Sequence, residues 1–216
     1  IFRPPLACLG ESGSFDKRPS IGSNSEMPQL TRVHANRIKE INLDSNSLTE
    51  VPIEIFKLPE VHEINLSRNK ITDLPQVTPI TRSDRLHGWE CANLVELNVS
   101  RNKLTTLPSC IWFLPNLQYF KATNNQLESL LPKTKDSVDV SSHSDTAFDE
   151  ISLSHSLVSL DISNNHLRAI PDFVFSFKQL KQVNVSSNEL ESLPDTLWMC
   201  KSLQDLDLSK NKLCIL

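Results

Sequence analysis

Glycine is scarce in this 216-residue chain, which has only Gly10, Gly13, Gly22 and Gly88. These four positions form neither a G-x-x-x-x-G-K loop nor a G-x-G-x-x-G loop, so the two common phosphate-cradling nucleotide sites are excluded. Long apolar runs are missing too, because stretches such as 110–114 fall far below the roughly 18 residues that a membrane-spanning helix needs. No signal peptide opens the chain, which begins with isoleucine, so we expect a fragment of a longer protein.

An excess of positive charge is also absent. The chain has 22 lysines and arginines against 26 aspartates and glutamates, which gives a net charge of −4. Proteins that bind polyanions concentrate cationic residues, so this balance argues against nucleic acid and against a membrane surface as partners.

Cysteine and histidine are present but do not form a recognisable site. The five cysteines are an odd number without a C-x-x-C pair, at Cys8, Cys91, Cys110, Cys200 and Cys214. This arrangement predicts neither a disulfide framework nor a zinc site, and it favours a reducing, cytoplasmic setting with Cys110 and Cys200 as small buried side chains. The six histidines are isolated from one another. We therefore predict no metal, no cofactor and no catalytic residue, so this chain is not expected to be an enzyme.

Leucine, in contrast, is abundant and regularly spaced, with 31 residues. Seven segments follow the pattern L-x-x-L-x-L-x-x-N-x-L, from IKEINLDSNSL at Ile38 to LQDLDLSKNKL at Leu203. Their marker asparagines recur every 23 residues apart from insertions of 10 and 17 residues, and they are Asn46, Asn69, Asn102, Asn125, Asn165, Asn188 and Asn211. Such a period predicts a stacked array of repeats.

Each part of the motif has a physical role. Alternating apolar residues, such as Leu97 and Val99, predict a short strand with inward side chains, while Glu96, Asn98 and Ser100 point outward. The marker asparagine has two donors and an acceptor for the backbone groups buried at the following turn, so the seven asparagines should form a structural ladder. No repeat can bury its apolar residues alone, and the repeats must therefore stack.

A second pattern, apolar-P-x-x-apolar-x-x-apolar, follows several of the strands. It occurs at 51–58, 107–114, 170–177 and 193–200. Proline suits the first position of a helical turn, and apolar residues three apart place one face of a short helix against the core. Together the two patterns predict a curved α/β solenoid with a parallel sheet on its concave face and short helices or 3₁₀ turns on its convex face.

These residues resemble the leucine-rich repeat family, in its intracellular N-x-L-x-x-L-P-x-x-I subtype, from Ile38 to Leu216. The resemblance implies a horseshoe that binds other proteins and has no catalytic residues of its own. This subtype is similar to the arrays of Ras-pathway scaffolds and to those that precede the GTPase domain of Roco-type kinases. The polar insertions favour the second group, so the alternative is a regulatory segment of a Roco-type GTPase and serine/threonine kinase.

Outside the motif, the composition changes. Residues 1–37 are rich in serine and proline, so we predict a mostly disordered segment with a degenerate capping repeat at 22–37. The repeat array then occupies 38–216, with polar insertions at about 76–93 and 132–156. Because the seventh repeat is truncated at Leu216, we expect further repeats or domains downstream in the parent chain.

The outward side chains of the strands form the surface on which we expect a partner protein to bind. The predicted contact residues are Glu40, Asn42, Glu63, Asn65, Arg68, Glu96, Asn98, Arg101, Tyr119, Lys121, Asp161, Asp205 and Asp207. Three glutamates stand out because the motif does not require them: Glu40, Glu63 and Glu96. Either they recognise a partner together with the neighbouring arginines, or those arginines neutralise them on a solvated face. Tyr119, the only tyrosine, is a candidate aromatic anchor.

The same face contains three N-x-S sequons, at Asn65, Asn98 and Asn184. All three occupy the same position of the repeat motif, where asparagine or aspartate is usual. We therefore interpret them as products of the motif and not as glycosylation sites.

Overall fold

Each predicted repeat supplies one short strand to a sheet in the computed structural model, which describes residues 37–76, 89–130 and 156–214. We number the repeats 1 to 7 by their strands, which are β1 (Glu40–Asn42), β2 (Glu63–Asn65), β3 (Glu96–Asn98), β4 (Tyr119–Lys121), β5 (Ser159–Asp161), β6 (Gln182–Asn184) and β7 (Asp205–Asp207). The described residues also form four 3₁₀ helices, η1 (Ile53–Lys57), η2 (Ser109–Phe113), η3 (Asp172–Ser176) and η4 (Asp195–Met199).

Strands that follow one another in the sequence are neighbours in the sheet, and all the pairs are parallel with the same register. Every position of the motif therefore forms a row across the sheet. We call the first strand positions the first row, which contains Glu40, Glu63, Glu96, Tyr119, Ser159, Gln182 and Asp205. The third strand positions form the third row, which contains Asn42, Asn65, Asn98, Lys121, Asp161, Asn184 and Asp207.

The middle residue of each strand points into the core between the sheet and the convex side. Ile64, Leu97 and Phe120 are fully buried, whereas Ile41 of β1 and Leu206 of β7 are half-buried at the two ends of the described array. This gradient is expected of a solenoid, because each repeat buries its apolar residues mainly against its neighbours. The predicted leucine-rich solenoid is confirmed.

The convex side differs from the prediction in one detail. We expected proline at the first helical position, but Pro52, Pro108, Pro171 and Pro194 each lie one residue earlier, as N-caps with extended backbone. Their carbonyls accept the first 3₁₀ hydrogen bonds, for example from Val174 N to Pro171 O at 3.1 Å. A helix cap has non-helical dihedral angles, and proline's fixed φ suits an extended cap as well as a helical residue.

Two tryptophans pack where the regular pattern is interrupted. Trp89 stacks on Phe56 of η1 with ring centroids 3.7 Å apart, and its indole N–H donates to Pro75 O at 3.2 Å. Trp112 of η2 packs against Phe173 and donates to Leu130 O at 3.2 Å. We had placed residues 89–93 in the first insertion, but Trp89 and Cys91 are buried in the core. An aromatic side chain thus takes the place of a regular convex helix.

The described cysteines are free thiols with different environments. We expected Cys110 and Cys200 to be buried, but both are only partly buried against the core, and Cys91 is the fully buried thiol. Burial raises the pKa of Cys91 and of Cys110 to about 12. Cys214 is exposed. The raised pKa values make the thiols of Cys91 and Cys110 unreactive at neutral pH.

Several predictions lie outside the described residues. They concern the segment 1–36 with its degenerate capping repeat and Cys8, most of the two insertions, and the truncation at Leu216.

Candidate functional site

The turn after each strand holds the concave face in one conformation. The residue before each marker asparagine has a positive φ between 54° and 59°, although none of these residues is glycine. They are Ser45, Arg68, Arg101, Asn124, Asn164, Ser187 and Lys210. A left-handed residue costs free energy unless it is glycine, so the surrounding hydrogen bonds must enforce this turn. The side chains of Arg68 and Arg101 therefore project from fixed positions.

The marker asparagines supply those hydrogen bonds. Asn102 is buried, its Nδ2 donates to the carbonyls of Leu66, Val99 and Ser100 at 3.0 to 3.3 Å, and its Oδ1 accepts from Ile71 N at 3.0 Å. Two of these partners belong to the preceding repeat. Asn46 of repeat 1 is exposed, and among the described residues it donates only within its own repeat, to Leu43 O and Asp44 O. Interior asparagines thus bind repeats together, whereas Asn46 closes its own turn in the part of the chain that the structure describes.

The side chains of the third row also help to form the turn after each strand. In six of the seven repeats, the side-chain oxygen of the third-row residue accepts a hydrogen bond from the backbone N–H two residues later, at 2.9 to 3.2 Å. The six residues are Asn42, Asn65, Asn98, Asp161, Asn184 and Asp207. One oxygen of each is therefore already used to form the turn, although the side chains remain at the surface.

The first row brings the three predicted glutamates together. Glu63 lies directly between Glu40 and Glu96 in the sheet register. Glu96 pairs with Lys121 of β4 at 2.8 Å, whereas Glu40 and Glu63 have no ion pair among the described residues. Neighbouring strands are about 4.8 Å apart, so these carboxylates repel one another.

No arginine forms an ion pair with these glutamates among the described residues. Arg68 lies 3.9 Å from Asp44, and Arg101 has no ion pair within the parts of the chain that the structure describes. Hydrogen bonds from the hydroxyls of Ser67 and Ser45, with the nearby Arg68 guanidinium, hold the pKa of Asp44 below its usual range. Direct ion pairs between the arginines and the glutamate row are therefore absent among the described residues, and screening of the glutamates over longer distances stays a prediction.

A shallow hollow lies on the concave face beside Arg68 and Arg101. It is lined by Asp44, Asn65, Ser67, Arg68, Asn98, Ser100, Arg101 and Thr123. We expected the serines two residues after the third-row positions to point outward, but Ser67, Ser100 and Ser163 are more than nine-tenths buried. Four of the lining residues are not among the predicted contact residues, namely Asp44, Ser67, Ser100 and Thr123. The identical S-R-N-K segments at 67–70 and 100–103 are the sequence signal that could have indicated this hollow.

The second half of the concave face has fewer charged side chains that lack both an ion pair and a hydrogen bond among the described residues. Asp205 accepts a hydrogen bond from Gln182 Nε2 at 3.2 Å, and the backbone N–H of Ser209 lowers the pKa of Asp207. At the rim, Glu189 pairs with Lys212 at 2.8 Å and lies 3.3 Å from His166. Asp161, Asp205 and Asp207 thus each accept a hydrogen bond, and within this half of the described face only Lys210 has neither a hydrogen bond nor an ion pair. Tyr119 of β4 lies between the two halves and is 38% exposed.

No group of three or more histidine, cysteine, aspartate or glutamate side chains in residues 37–76, 89–130 and 156–214 is placed to hold a metal ion. No helix in those same ranges has the length and apolar character to cross a membrane.

Comparison with known proteins identifies the fold. Family profiles described as leucine rich repeat match residues 36–78, 93–114 and 155–213, which together are more than half of the chain. No curated protein sequence gives a significant match.

Solved structures give the same result. A chain of the Toll–Spatzle complex from Drosophila is 26% identical with a TM-score of 0.63, over 82% of this chain and 21% of that one. The leucine-rich repeat ectodomain of the plant receptor kinase GASSHO1/SCHENGEN3 from Arabidopsis thaliana, in complex with CASPARIAN STRIP INTEGRITY FACTOR 2, is 24% identical with a TM-score of 0.61, over 82% and 19%.

A TDR receptor is also 24% identical with a TM-score of 0.61, over 85% of this chain and 29% of that one. The chain thus spans less than a third of the length of each of these three structures. From its repeat motif, its seven-stranded parallel sheet and these matches, the chain belongs to the leucine-rich repeat proteins.

Proposed function

We propose that this chain is a protein-interaction module that binds a partner protein on the first half of its concave face. The observation that carries the proposal is the set of charges left without an ion pair there. Glu40, Glu63 and Arg101 face solvent from a fixed backbone without ion-pair partners among the described residues. Unpaired charges on a rigid surface favour a partner of complementary charge through steering and specificity.

The mechanism is the display of preformed contacts. The asparagine ladder and the turns fix the positions of the surface side chains before a partner arrives. Little backbone entropy is then lost on binding, so more of the contact energy appears as affinity. Tyr119 adds an aromatic side chain at the border of the charged region, and such residues often contribute most to binding. The relatives support a protein ligand, because the Toll and GASSHO1/SCHENGEN3 structures are complexes with Spatzle and with CASPARIAN STRIP INTEGRITY FACTOR 2.

For the parent protein, we propose a cytoplasmic signalling protein with a Roco-type GTPase and kinase downstream, in which the array regulates the catalytic domains. The polar insertions into the repeat period support this assignment over a regular scaffold array. The free thiols of Cys91 and Cys110, packed into or against the core, support a reducing compartment. A P-loop encoded beyond Leu216 in the same reading frame is the result we expect, and a transmembrane segment there would contradict it.

The binding face is tested by charge reversal. The tagged chain captures partners from an extract of its source cells, and the variant Glu63→Lys/Glu96→Lys should lose the specific partner by about tenfold or more because two attractive charges become repulsive. The matched control is Glu54→Lys/Glu60→Lys, which changes the net charge equally at exposed residues outside the sheet. Quantitative mass spectrometry measures recovery, and circular dichroism confirms that both variants are folded. Equal recovery with both variants would remove the concave face from consideration.

A further inference from the structure

Two identical segments place four cationic side chains at one edge of the charged region. Ser67–Lys70 follows β2 and Ser100–Lys103 follows β3, and these strands are paired in register. Arg68, Lys70, Arg101 and Lys103 are all exposed. Of these four cations, only Arg68 has an ion pair among the described residues, and that contact with Asp44 is long, at 3.9 Å. The cations are therefore available to an anion from outside the chain.

The hollow beside these cations is rich in hydrogen-bond donors. The oxygen of Asn98 accepts from Ser100 N, which leaves its Nδ2 to donate, and Ser100 Oγ accepts from Thr123 N at 3.2 Å, which leaves its hydroxyl hydrogen to donate. Both residues line the hollow with Arg101. An amide N–H, a hydroxyl and a guanidinium that converge on one place favour an oxyanion. Asp44, the one carboxylate of the lining, is already bonded to Ser45 and Ser67.

The charge around the hollow distinguishes among oxyanions. Two arginines with two lysines beyond them match a dianion with three acceptor oxygens better than a carboxylate with one charge. Arginine forms paired hydrogen bonds with phosphate through its planar group. A phosphate monoester is therefore the chemical group that best satisfies the cluster.

The opposite edge of the face selects the molecule that carries this phosphate. Glu63 and Glu96 lie on the same two repeats as the cations, each five residues before the arginine of the turn, and Glu40 lies beside Glu63 on repeat 1. Nucleic acids and anionic membranes have repeated negative charges, which this glutamate row repels. A protein segment with one phosphate and nearby basic residues satisfies both edges at once.

We propose that the hollow binds a phosphoserine or phosphothreonine side chain of the partner protein, with basic residues of the same segment contacting Glu63 and Glu96. The inference rests on the proposed function, because it specifies the ligand of the same face. Partner binding is then controlled by a kinase and a phosphatase that act on the partner.

The test uses two fluorescein-labelled peptide pools with the full chain. One pool has a fixed central phosphoserine with five random residues on each side, and the other has serine at the centre. Fluorescence polarisation should show about tenfold or tighter binding of the phosphorylated pool, since a paired arginine–phosphate contact is a strong, charge-assisted one. Sequencing of the bound peptides should show enrichment of lysine and arginine near the phosphoserine. Equal affinity for the two pools would overturn the proposal.

Variants assign the binding to the hollow. Arg68→Glu/Arg101→Glu should bind the phosphorylated pool no better than the serine pool, whereas Lys210→Glu, at the same turn position of repeat 7, should bind as the wild type does. Loss in Lys210→Glu equal to that in the double variant would mean a general effect of net charge and would contradict the proposal. Tighter binding of transfer RNA or of phosphatidylserine vesicles through the same arginines would also overturn it.

The proposal of the concave face as the binding site and the proposal of a phosphate ligand can be contradicted independently. If the peptide pools bind equally while Glu63→Lys/Glu96→Lys still loses its captured partner, the concave face remains the binding site and only the phosphate assignment is wrong. If that double variant captures its partner normally, the concave face itself is wrong, whatever the peptides show.

Discussion

The first strand position is glutamate in all of β1 to β3, whereas β5 to β7 have three different residues there, Ser159, Gln182 and Asp205. The turn position before the marker asparagine also differs, because two neighbouring repeats of the first half have arginine there after Ser45 of repeat 1, whereas the second half has Asn164, Ser187 and a single cation, Lys210. The marker asparagine does not differ. Asn188 donates to carbonyls of its own and the preceding repeat, as Asn102 does. The framework is thus constant along the array, and the surface charge is what separates its two halves.

The convex side shows a second contrast between the halves. Trp112 and Trp198 occupy the same position of the motif, four residues after the N-cap proline. Trp112 is 1% exposed and packs against Phe120, Phe173 and Phe177, whereas Trp198 is 72% exposed. The same side chain is therefore a core residue where a following repeat covers it and a surface residue where no described residue does.

The largest effect should come from removing the buried tryptophan. Trp112→Ala should lower the free energy of unfolding by about 3 to 5 kcal/mol, because it empties a large core site and removes the hydrogen bond to Leu130. Trp198→Ala should change it by less than about 0.5 kcal/mol, as is usual for exposed positions. Urea unfolding followed by circular dichroism measures both. Equal losses would show that position in the motif, and not burial, sets the contribution.

A smaller effect should separate two marker asparagines. Asn102→Ala leaves buried carbonyls and the N–H of Ile71 without partners, so we expect a loss of about 1 to 3 kcal/mol. Asn46→Ala should cost less than about 0.5 kcal/mol, because Asn46 is exposed and its acceptors can bind water. The same unfolding measurement applies. A loss in Asn46→Ala as large as that in Asn102→Ala would contradict the account of the ladder as a link between repeats.

The strand positions and their inward residues could be predicted from the sequence because the motif repeats. Leu97 and Val99 were assigned to the core from their spacing alone, and the parallel sheet follows from stacking copies of one unit. The neighbours within the first row could be predicted for the same reason, since a fixed register places Glu40 beside Glu63 and Glu63 beside Glu96. Local periodicity and stacking are sufficient for this part of the structure.

The remaining features depend on contacts between segments that the motif does not encode. Trp89 lies in a stretch that interrupts the motif, and only its packing on Phe56 shows that it belongs to the core. The burial of Ser100 depends on the turn that follows β3, and strand alternation alone predicts the opposite. Arg68 pairs with Asp44 and not with Glu63, and this depends on the direction in which its side chain extends from the turn. Such details require three-dimensional geometry.

Position-specific crosslinking tests most directly whether a partner occupies the first half of the concave face. A photoreactive benzoylphenylalanine replaces Tyr119 of β4, Gln182 at the matching position of β6, or Lys178 in the turn after η3, and the crosslinked partner is quantified by mass spectrometry. We predict the highest yield from Tyr119, a lower yield from Gln182 and only background from Lys178. A yield from Lys178 equal to or above that from Tyr119 would contradict the assignment of the concave face as the binding surface.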